Sequence, residues 1–515
     1  MTSAKCEKGQ NQTFGDQMLS GGAWMSFGAV IEAILRLIIL AILARLLNPA
    51  DFGVLAAALV VVSFVKTFGM IGIGPAIVQL PTLRENHLSA GLTLSVIISL
   101  CLTCVLWFSS SAIEGFFQMP QLSQVIMVLS SSFIIQGLSI VPESLLIRQF
   151  HFRKIALSNL ISYGVGFGLA SIILASFGMN YWSLIIGSVA QMIIKTLLIF
   201  LYTRSNFRPT IGISGSRDLF HFGFGLSLAK LATYFATQGD NFIAGRFLGV
   251  TSLGLYSRAY QIMQIPAALY SPIEDKVLFS AFARAQNDPL QLRRLYNRGL
   301  TLTALIGLPM SAALFIFSPE IVSILLGSRW NDLIFPLQVL SLGTYPRLGY
   351  KISDSLLRGS GKVYLSALLQ TTYAVFVLLF TFLGTYWGIV GVSTGTVIAL
   401  TLTFIILATS SQNVLQLGLK NWFAAHQPGV YTTVLLILVW MLTAGELRTL
   451  NYPLLTLSVN FLVTIGLLIL LFLFRPLVFF GKEAIFLVHT ISKLAIIQSL
   501  NFHLFSFYHR IRISS

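Results

Sequence analysis

Seven basic side chains stand inside runs that are otherwise apolar: Arg36, Lys66, Lys195, Lys230, Arg258, Arg347 and Lys351. Three acids lie within reach of them along the chain, Glu32, Asp240 and Asp354. A charge at the centre of a lipid-embedded helix costs about 2.5–3.5 kcal/mol on insertion scales, so seven of them facing lipid would cost on the order of 20 kcal/mol, more than the stability of an ordinary fold. Most must therefore face water or a partner. Because bases outnumber acids, the chemistry open to them is the binding of an anion such as a phosphate or diphosphate through charge-assisted hydrogen bonds.

Several of these charges also have a plain structural reading. Glu32 and Arg36 stand four apart with the acid first, the order in which a helix lets the two neutralise one another. Asp240 and Arg258 both fall toward the outer face and fit a buried structural pair, and Lys195 is near enough to the inner end of its run to snorkel. Arg36, Lys66, Lys230, Arg347 and Lys351 remain as candidates for an anionic headgroup. Glu32, Asp240, Arg258 and Asp354 are candidates for ion coupling or structural pairing.

The elements that must position them are membrane helices. Of 515 residues 56% are hydrophobic and only 10% charged, against about 25% charged in a soluble domain, and the mean hydropathy is +0.83. A folded body of this size cannot coat itself with so few polar groups, which excludes a water-soluble enzyme. Residues 155–194 and 363–419 contain no Asp, Glu, Lys or Arg. At about 1.5 Å of rise per residue each run is long enough to cross a bilayer core of about 30 Å twice. Turn residues sit where the reversals are needed, at Gly178-Met179-Asn180 and from Gly384 to Gly388.

Read in this way, the chain is an all-α polytopic membrane protein with fourteen spans, near 22–44, 52–78, 88–111, 122–146, 156–178, 181–202, 219–248, 254–280, 299–317, 333–357, 363–384, 388–411, 429–445 and 453–474. Residues 1–20 lack the apolar core of a signal peptide, so the first span is expected to stay. The 33 Lys and Arg then fix the orientation: with the N-terminus inside, 22 fall on the inner segments, four on the outer ones and seven within spans. The formal charge of +16 is thus a topology signal, and no nucleic-acid partner is expected. Cys101 and Cys104 form a C-x-x-C inside an apolar run with no nearby His or acidic ligand, so no metal site and no cofactor is expected.

The chain also repeats itself. The segment from Ala44 to Leu55 returns from Gly245 to Tyr256, aligning Arg45 with Arg246, Leu47 with Leu248 and Gly53 with Gly254. A weaker echo pairs Glu143-Ser-Leu-Leu with Asp354-Ser-Leu-Leu. Two six-span lobes related by a parallel repeat explain both, with an axis along the membrane normal. The expected organisation is an N-terminal tail (1–21), an N-lobe (22–202), an inner linker (203–218), a C-lobe (219–411), two added spans (412–474) and an interfacial tail (475–515). In the repeated turn Asp51 and Ser252 are placed to cap the helix that follows. The charges within the membrane are not copied, which favours a cavity fitted to an asymmetric ligand.

The segments ARLLNPADFGVLAAALVVVSFVKTFGMIGIGPAIVQ (44–79), IRQFHFRKIALSNL (147–160), GDNFIAGRFLGVTSLGLYSRAYQI (239–262) and LLRGSGK (356–362) resemble the lipid-linked oligosaccharide flippases and polysaccharide exporters of the multidrug/oligosaccharidyl-lipid/polysaccharide superfamily. The likeness is to the colanic-acid and teichuronic-acid exporter type and covers roughly the first twelve spans. Lys66 departs from it, standing where an uncharged residue is expected. The resemblance implies a V-shaped pair of six-helix lobes around a central cavity in the bacterial cytoplasmic membrane. It implies alternating access that moves an undecaprenyl-diphosphate-linked repeat unit outward for surface polysaccharide, driven by a proton or sodium gradient or by the membrane potential. Membrane lipids, a polysaccharide polymerase and glycosyltransferases are the partners to expect. A drug/cation antiporter of the same superfamily would want an acidic cavity, and a membrane glycan polymerase or transferase a sizeable outer loop or an outer catalytic cluster. Neither is visible in the sequence.

Overall fold

The computed structural model describes residues 14–69, 73–80, 85–203, 216–273 and 277–485. Among them all regular structure is helical. The first part of the chain forms α1 (Phe14–Leu46), α2 (Pro49–Gly69), α3 (Ile73–Gln79), α4 (Glu85–Phe117), α5 (Leu122–Arg148), α6 (Phe152–Ile161), α7 (Ala170–Ser176), α8 (Asn180–Thr203) and α9 (Ser216–Ile273). It continues as α10 (Phe279–Arg284), α11 (Pro289–Ile316), α12 (Ser318–Leu325), α13 (Ile334–Leu342), α14 (Thr344–Gly359), α15 (Val363–Gly384), α16 (Gly388–Leu415), α17 (Leu419–Arg448) and α18 (Pro453–Phe474). Nine runs among the described residues are long and apolar enough to cross a membrane, one of which, Val363–Leu415, holds both α15 and α16. The chain is a polytopic membrane protein. Its surface agrees: on α18 only Thr456 and Asn460 are buried, and leucines and phenylalanines cover the rest.

Both charge-free runs reverse where the turn residues stand. Gly178 (φ 80°) and Asn180 (φ 43°) take left-handed backbone between α7 and α8. A single 3₁₀ turn, Thr385–Trp387, followed by Gly388 at φ 64°, separates α15 from α16. The span read at 52–78 is split into α2 and α3, and those read at 219–248 and 254–280 form one element, α9, interrupted at Gly249 (φ 81°, ψ 179°).

The chain divides into two compact units. Unit 1 comprises Met1–Ala259, Leu325–Leu333 and Ala374–Gly395. In it α4 lies along α5, α5 along α8, and α1 along α6 and α7. Between α6 and α7 the glycine-rich segment Ser162–Leu169 is π-helical, a form that tends to occur at functional positions. Unit 2 comprises Tyr260–Ile324, Ile334–Tyr373 and Thr396–Ser515. There α11 is the central helix, packed against α13, α14 and α17, and α17 carries α18. Two ion pairs tie the C-terminal part of the chain to the rest of this unit, Arg448 of α17 to Glu320 at 2.6 Å and Glu483, beyond α18, to Arg298 at 2.6 Å.

The repeated turn has a different cap from the one expected. Helix α2 begins at Pro49, so Asp51 lies inside its first turn and its Oδ2 accepts a hydrogen bond from the Asn48 N–H at 2.9 Å. This is the returning half of a capping box rather than an N-cap. Gly249, where α9 breaks, is the repeat counterpart of Asn48, so both copies turn at the same position.

Candidate functional site

Helix α14 gathers the densest set of buried polar groups in unit 2. Residues Thr344–Gly359 alternate charge and tyrosine with small and aliphatic side chains, so the helix has an apolar stripe and a broad polar one. Arg347 is 9% exposed. Its Nη1 donates to the Tyr260 hydroxyl at 2.8 Å, and its guanidinium carbon lies 5.3 Å from the centroid of that ring. Tyr350 and Tyr373, with ring centroids 5.8 Å apart, complete the surroundings that act on it electrostatically. Among the described residues no carboxylate pairs with Arg347. A buried guanidinium keeps its proton and has five donors to place, of which the tyrosine occupies one.

One turn on, Lys351 is half-buried. Asp354 is buried and already engaged: it pairs with Arg358 Nε at 2.9 Å and accepts from the Ser366 hydroxyl. The two basic candidates of this helix therefore stand together, and the acid belongs to a separate ion pair one turn further along.

The unit 1 candidates do not gather in one place. Glu32 and Arg36 form the expected i,i+4 pair, Nε to Oε1 at 3.1 Å, with Arg36 about half exposed and its guanidinium 4.7 Å from the centroid of Tyr163 in the π-helical segment. Lys66 lies in the field of Lys195 and Glu143. Lys195 does not reach for the membrane edge: its Nζ bonds Glu143 Oε1 at 2.9 Å. One carboxylate of α5 thus bonds the lysine of α8 and lies within electrostatic range of the lysine of α2. Lys230 lies on α9 with its side chain outside the described residues.

Asp240 is fully buried and accepts from the Tyr256 hydroxyl at 2.8 Å and from the Asn241 N–H at 2.7 Å. Arg258 lies over the Phe52 ring, 5.0 Å from its centroid. Phe52 is in turn edge-on to Trp330, whose indole N–H donates to the Ala44 carbonyl at 2.9 Å. These two charges therefore sit in the tightly packed surroundings of the repeated turn.

Sequence reasoning passed over Glu143, Tyr163, Tyr260, Tyr350 and Tyr373. Glu143 was marked by its echo of Asp354, an acid at the same place in both copies. The tyrosines carried no signal, because an aromatic within an apolar run reads as core.

Residues 42–335, more than half of the chain, match the family described as polysaccharide biosynthesis protein. The chain belongs to this family. The lipopolysaccharide biosynthesis protein WzxC of Escherichia coli (strain K12) is 26% identical over 68% of this chain and 72% of its own length. The teichuronic acid biosynthesis protein TuaB of Bacillus subtilis (strain 168) is 25% identical over 68% of this chain and 73% of its own. The fold is similar to that of the lipid II flippase MurJ in an inward closed conformation, with a TM-score of 0.71 over 87% of this chain and 98% of that one at 16% identity. The stretch matched to the polysaccharide biosynthesis family contains Lys66, Asp240 and Arg258 and ends before Arg347 and Lys351.

Proposed function

We propose that this protein is a flippase for lipid-linked oligosaccharides, a transporter rather than an enzyme. It would move undecaprenyl-diphosphate-linked repeat units from the inner to the outer leaflet of a bacterial cytoplasmic membrane by alternating access. Both termini face the cytoplasm, as the distribution of Lys and Arg over the connections favours. The prenyl chain stays in lipid, while the diphosphate and sugars travel along the protein.

The observation that carries this reading is Arg347, buried among tyrosines with no carboxylate partner among the described residues. A diphosphate needs donors that hold their charge throughout the passage, and an arginine supplies them in a planar fork. Tyrosine hydroxyls donate to the same oxygens or to sugar hydroxyls, and their ring faces suit the apolar faces of a glycan. Lys351 adds a second positive charge one turn away. Lys66, Lys195 and Glu143 leave a net positive charge in unit 1, a second place at which a headgroup can be held.

The test is depletion of the protein in its native host, followed by isolation of the lipid-linked intermediate. Intact repeat units that build up on the inner leaflet, with loss of surface polymer, support transport. A truncated or chemically altered glycan would show instead that the protein acts as a transferase or polymerase.

A further inference from the structure

Among the described residues of unit 2 one imidazole is buried, and its hydrogen bonds fix its state. His426 on α17 is 6% exposed. Its Nδ1 is 2.6 Å from the carbonyl oxygen of Trp422, one turn back on the same helix. A carbonyl can only accept, so Nδ1 carries the hydrogen and Nε2 carries the lone pair. The Tyr345 hydroxyl of α14 is bonded to that Nε2, so Tyr345 donates and His426 accepts. The ring is therefore a neutral acceptor whose one free site is held by a group able to reverse its role.

We propose that the Tyr345–His426 pair is the proton-binding site through which a proton gradient acts on this transporter. When a proton binds Nε2, the ring becomes a donor at both nitrogens, and the Tyr345 oxygen changes from donor to acceptor. The hydroxyl hydrogen of Tyr345 must then turn toward another acceptor. A cavity of about 450 Å³ bordered by Tyr345 also carries the hydroxyl-bearing side chains of Ser311 and Thr401.

Among the described residues no counter-charge is bonded to the ring to meet the charge gained, and Glu483, on the segment that packs on α17 at Pro428, is bonded to Arg298 of α11. The rings of Trp422, Phe404 and Tyr345 surround the imidazole, with centroids at 4.1, 6.3 and 5.6 Å. From α14 the titratable group is Tyr345 itself, because Arg347 is turned to Tyr260. From α11 it is Tyr296, which acts on Tyr345 and is bonded to Ser353. From α16 it is none, Phe404 being the residue presented. Among the described residues no Asp, Glu, Lys or Arg is bonded to the ring. Proton binding thus favours a different placing of α17 against α14, the helix that carries Arg347 two residues beyond Tyr345. A proton and a headgroup are then linked through one element.

As the coupling site of a flippase the pair rests on the function proposed above; as a proton site it can be measured without substrate. The Trp422 ring lies against His426, tilted by 41° with centroids 4.1 Å apart, and a protonated imidazole quenches indole emission. With the full chain in lipid nanodiscs, fluorescence is titrated from pH 5 to pH 9 for the wild type, Trp422→Phe and His426→Gln. The expected result is a one-proton quenching transition that both variants lose; the same curve in wild type and His426→Gln overturns the proposal. Tyr345→Phe keeps the ring and removes only the hydroxyl. It should move the midpoint by about half a pH unit or more, since one hydrogen bond of ordinary strength is lost, and an unmoved midpoint also overturns it. In proteoliposomes, transfer of a lipid-linked oligosaccharide should depend on an imposed pH gradient in the wild type and not in His426→Gln. Equal gradient dependence in the two overturns the coupling role, whereas a normal titration with no transfer at all in the wild type removes the flippase reading and leaves the proton site standing.

Discussion

Gly53 and Gly254, 201 positions apart, pack reciprocally: a Cβ on Gly53 would lie 1.8 Å from the Val250 carbonyl oxygen, and one on Gly254 would lie 1.9 Å from that of Pro49. Val250 is the repeat counterpart of Pro49, so each copy offers the same carbonyl to the other's glycine. The duplication thus produces a local two-fold contact between the starts of α2 and the second half of α9. Around it Phe52, Trp330 and Arg258 close the packing.

Alanine at either glycine must push backbone apart rather than displace a flexible side chain. Gly53→Ala and Gly254→Ala should each cost about 2–3 kcal/mol. Thermal unfolding of the purified protein in detergent would read this as a fall in midpoint. Gly115→Ala, where nothing lies within 4 Å, is the control and should leave the midpoint unchanged or slightly raised.

Glu143 is bonded to Lys195 and also acts electrostatically on Lys66. Glu143→Gln should therefore destabilise unit 1 by about 1–2 kcal/mol, because Lys195 and Lys66 are left facing each other without the carboxylate. Adding Lys195→Met should recover much of the loss, with a coupling energy of about 0.5–2 kcal/mol in a double-mutant cycle. Two losses that simply add would show the ion pair to be idle.

The Glu320 side chain is 5% exposed, and Arg448 is its ionic partner, donating from Nε to Oε1 at 2.6 Å and from Nη2 to Oε2 at 3.2 Å. Arg448→Met strands a buried carboxylate and should lower stability by about 3–5 kcal/mol, whereas the pair Glu320→Gln with Arg448→Met should cost less than the single change. The readout is again the unfolding midpoint, together with the yield from membranes.

The orientation read from the basic residues can be checked by cysteine labelling in a background lacking Cys6, Cys101 and Cys104. Tyr386→Cys, in the exposed turn between α15 and α16, should react with a membrane-impermeant maleimide added outside. Asn287→Cys, just before α11, should react only after the membrane is opened. The reverse pattern would invert the topology.

Much of this architecture could be read from the residues because lipid makes apolar length a strict signal. Two charge-free runs forced two reversals, and the glycines and the asparagine that turn them stand in plain sight. The Glu32–Arg36 pair was legible for the same local reason, since four residues on one helix fix the distance. Partners far apart in the chain were not. Lys195 sits near a helix end, which suggests snorkelling, and only the folded chain brings Glu143 beside it. Asp51 reads as a cap, yet the helix starts two residues earlier at Pro49. Tyr260 and Tyr373 near Arg347 were hidden because they stand far away in the chain, within apolar runs of α9 and α15 where an aromatic that lines a site reads the same as one that packs.

The most direct test of the account is the effect of Arg347 on translocation itself. Arg347→Gln, Arg347→Lys and wild type are reconstituted at equal protein amounts, and the fraction of a diphosphate-linked oligosaccharide that reaches the opposite leaflet is followed with time. The account predicts that Arg347→Gln transfers at least about tenfold more slowly at normal abundance, as expected for the loss of one or more charge-assisted bonds. Arg347→Lys, which keeps the charge and loses the planar fork, should fall between the two. Wild-type rates in the well-folded Arg347→Gln protein would contradict it.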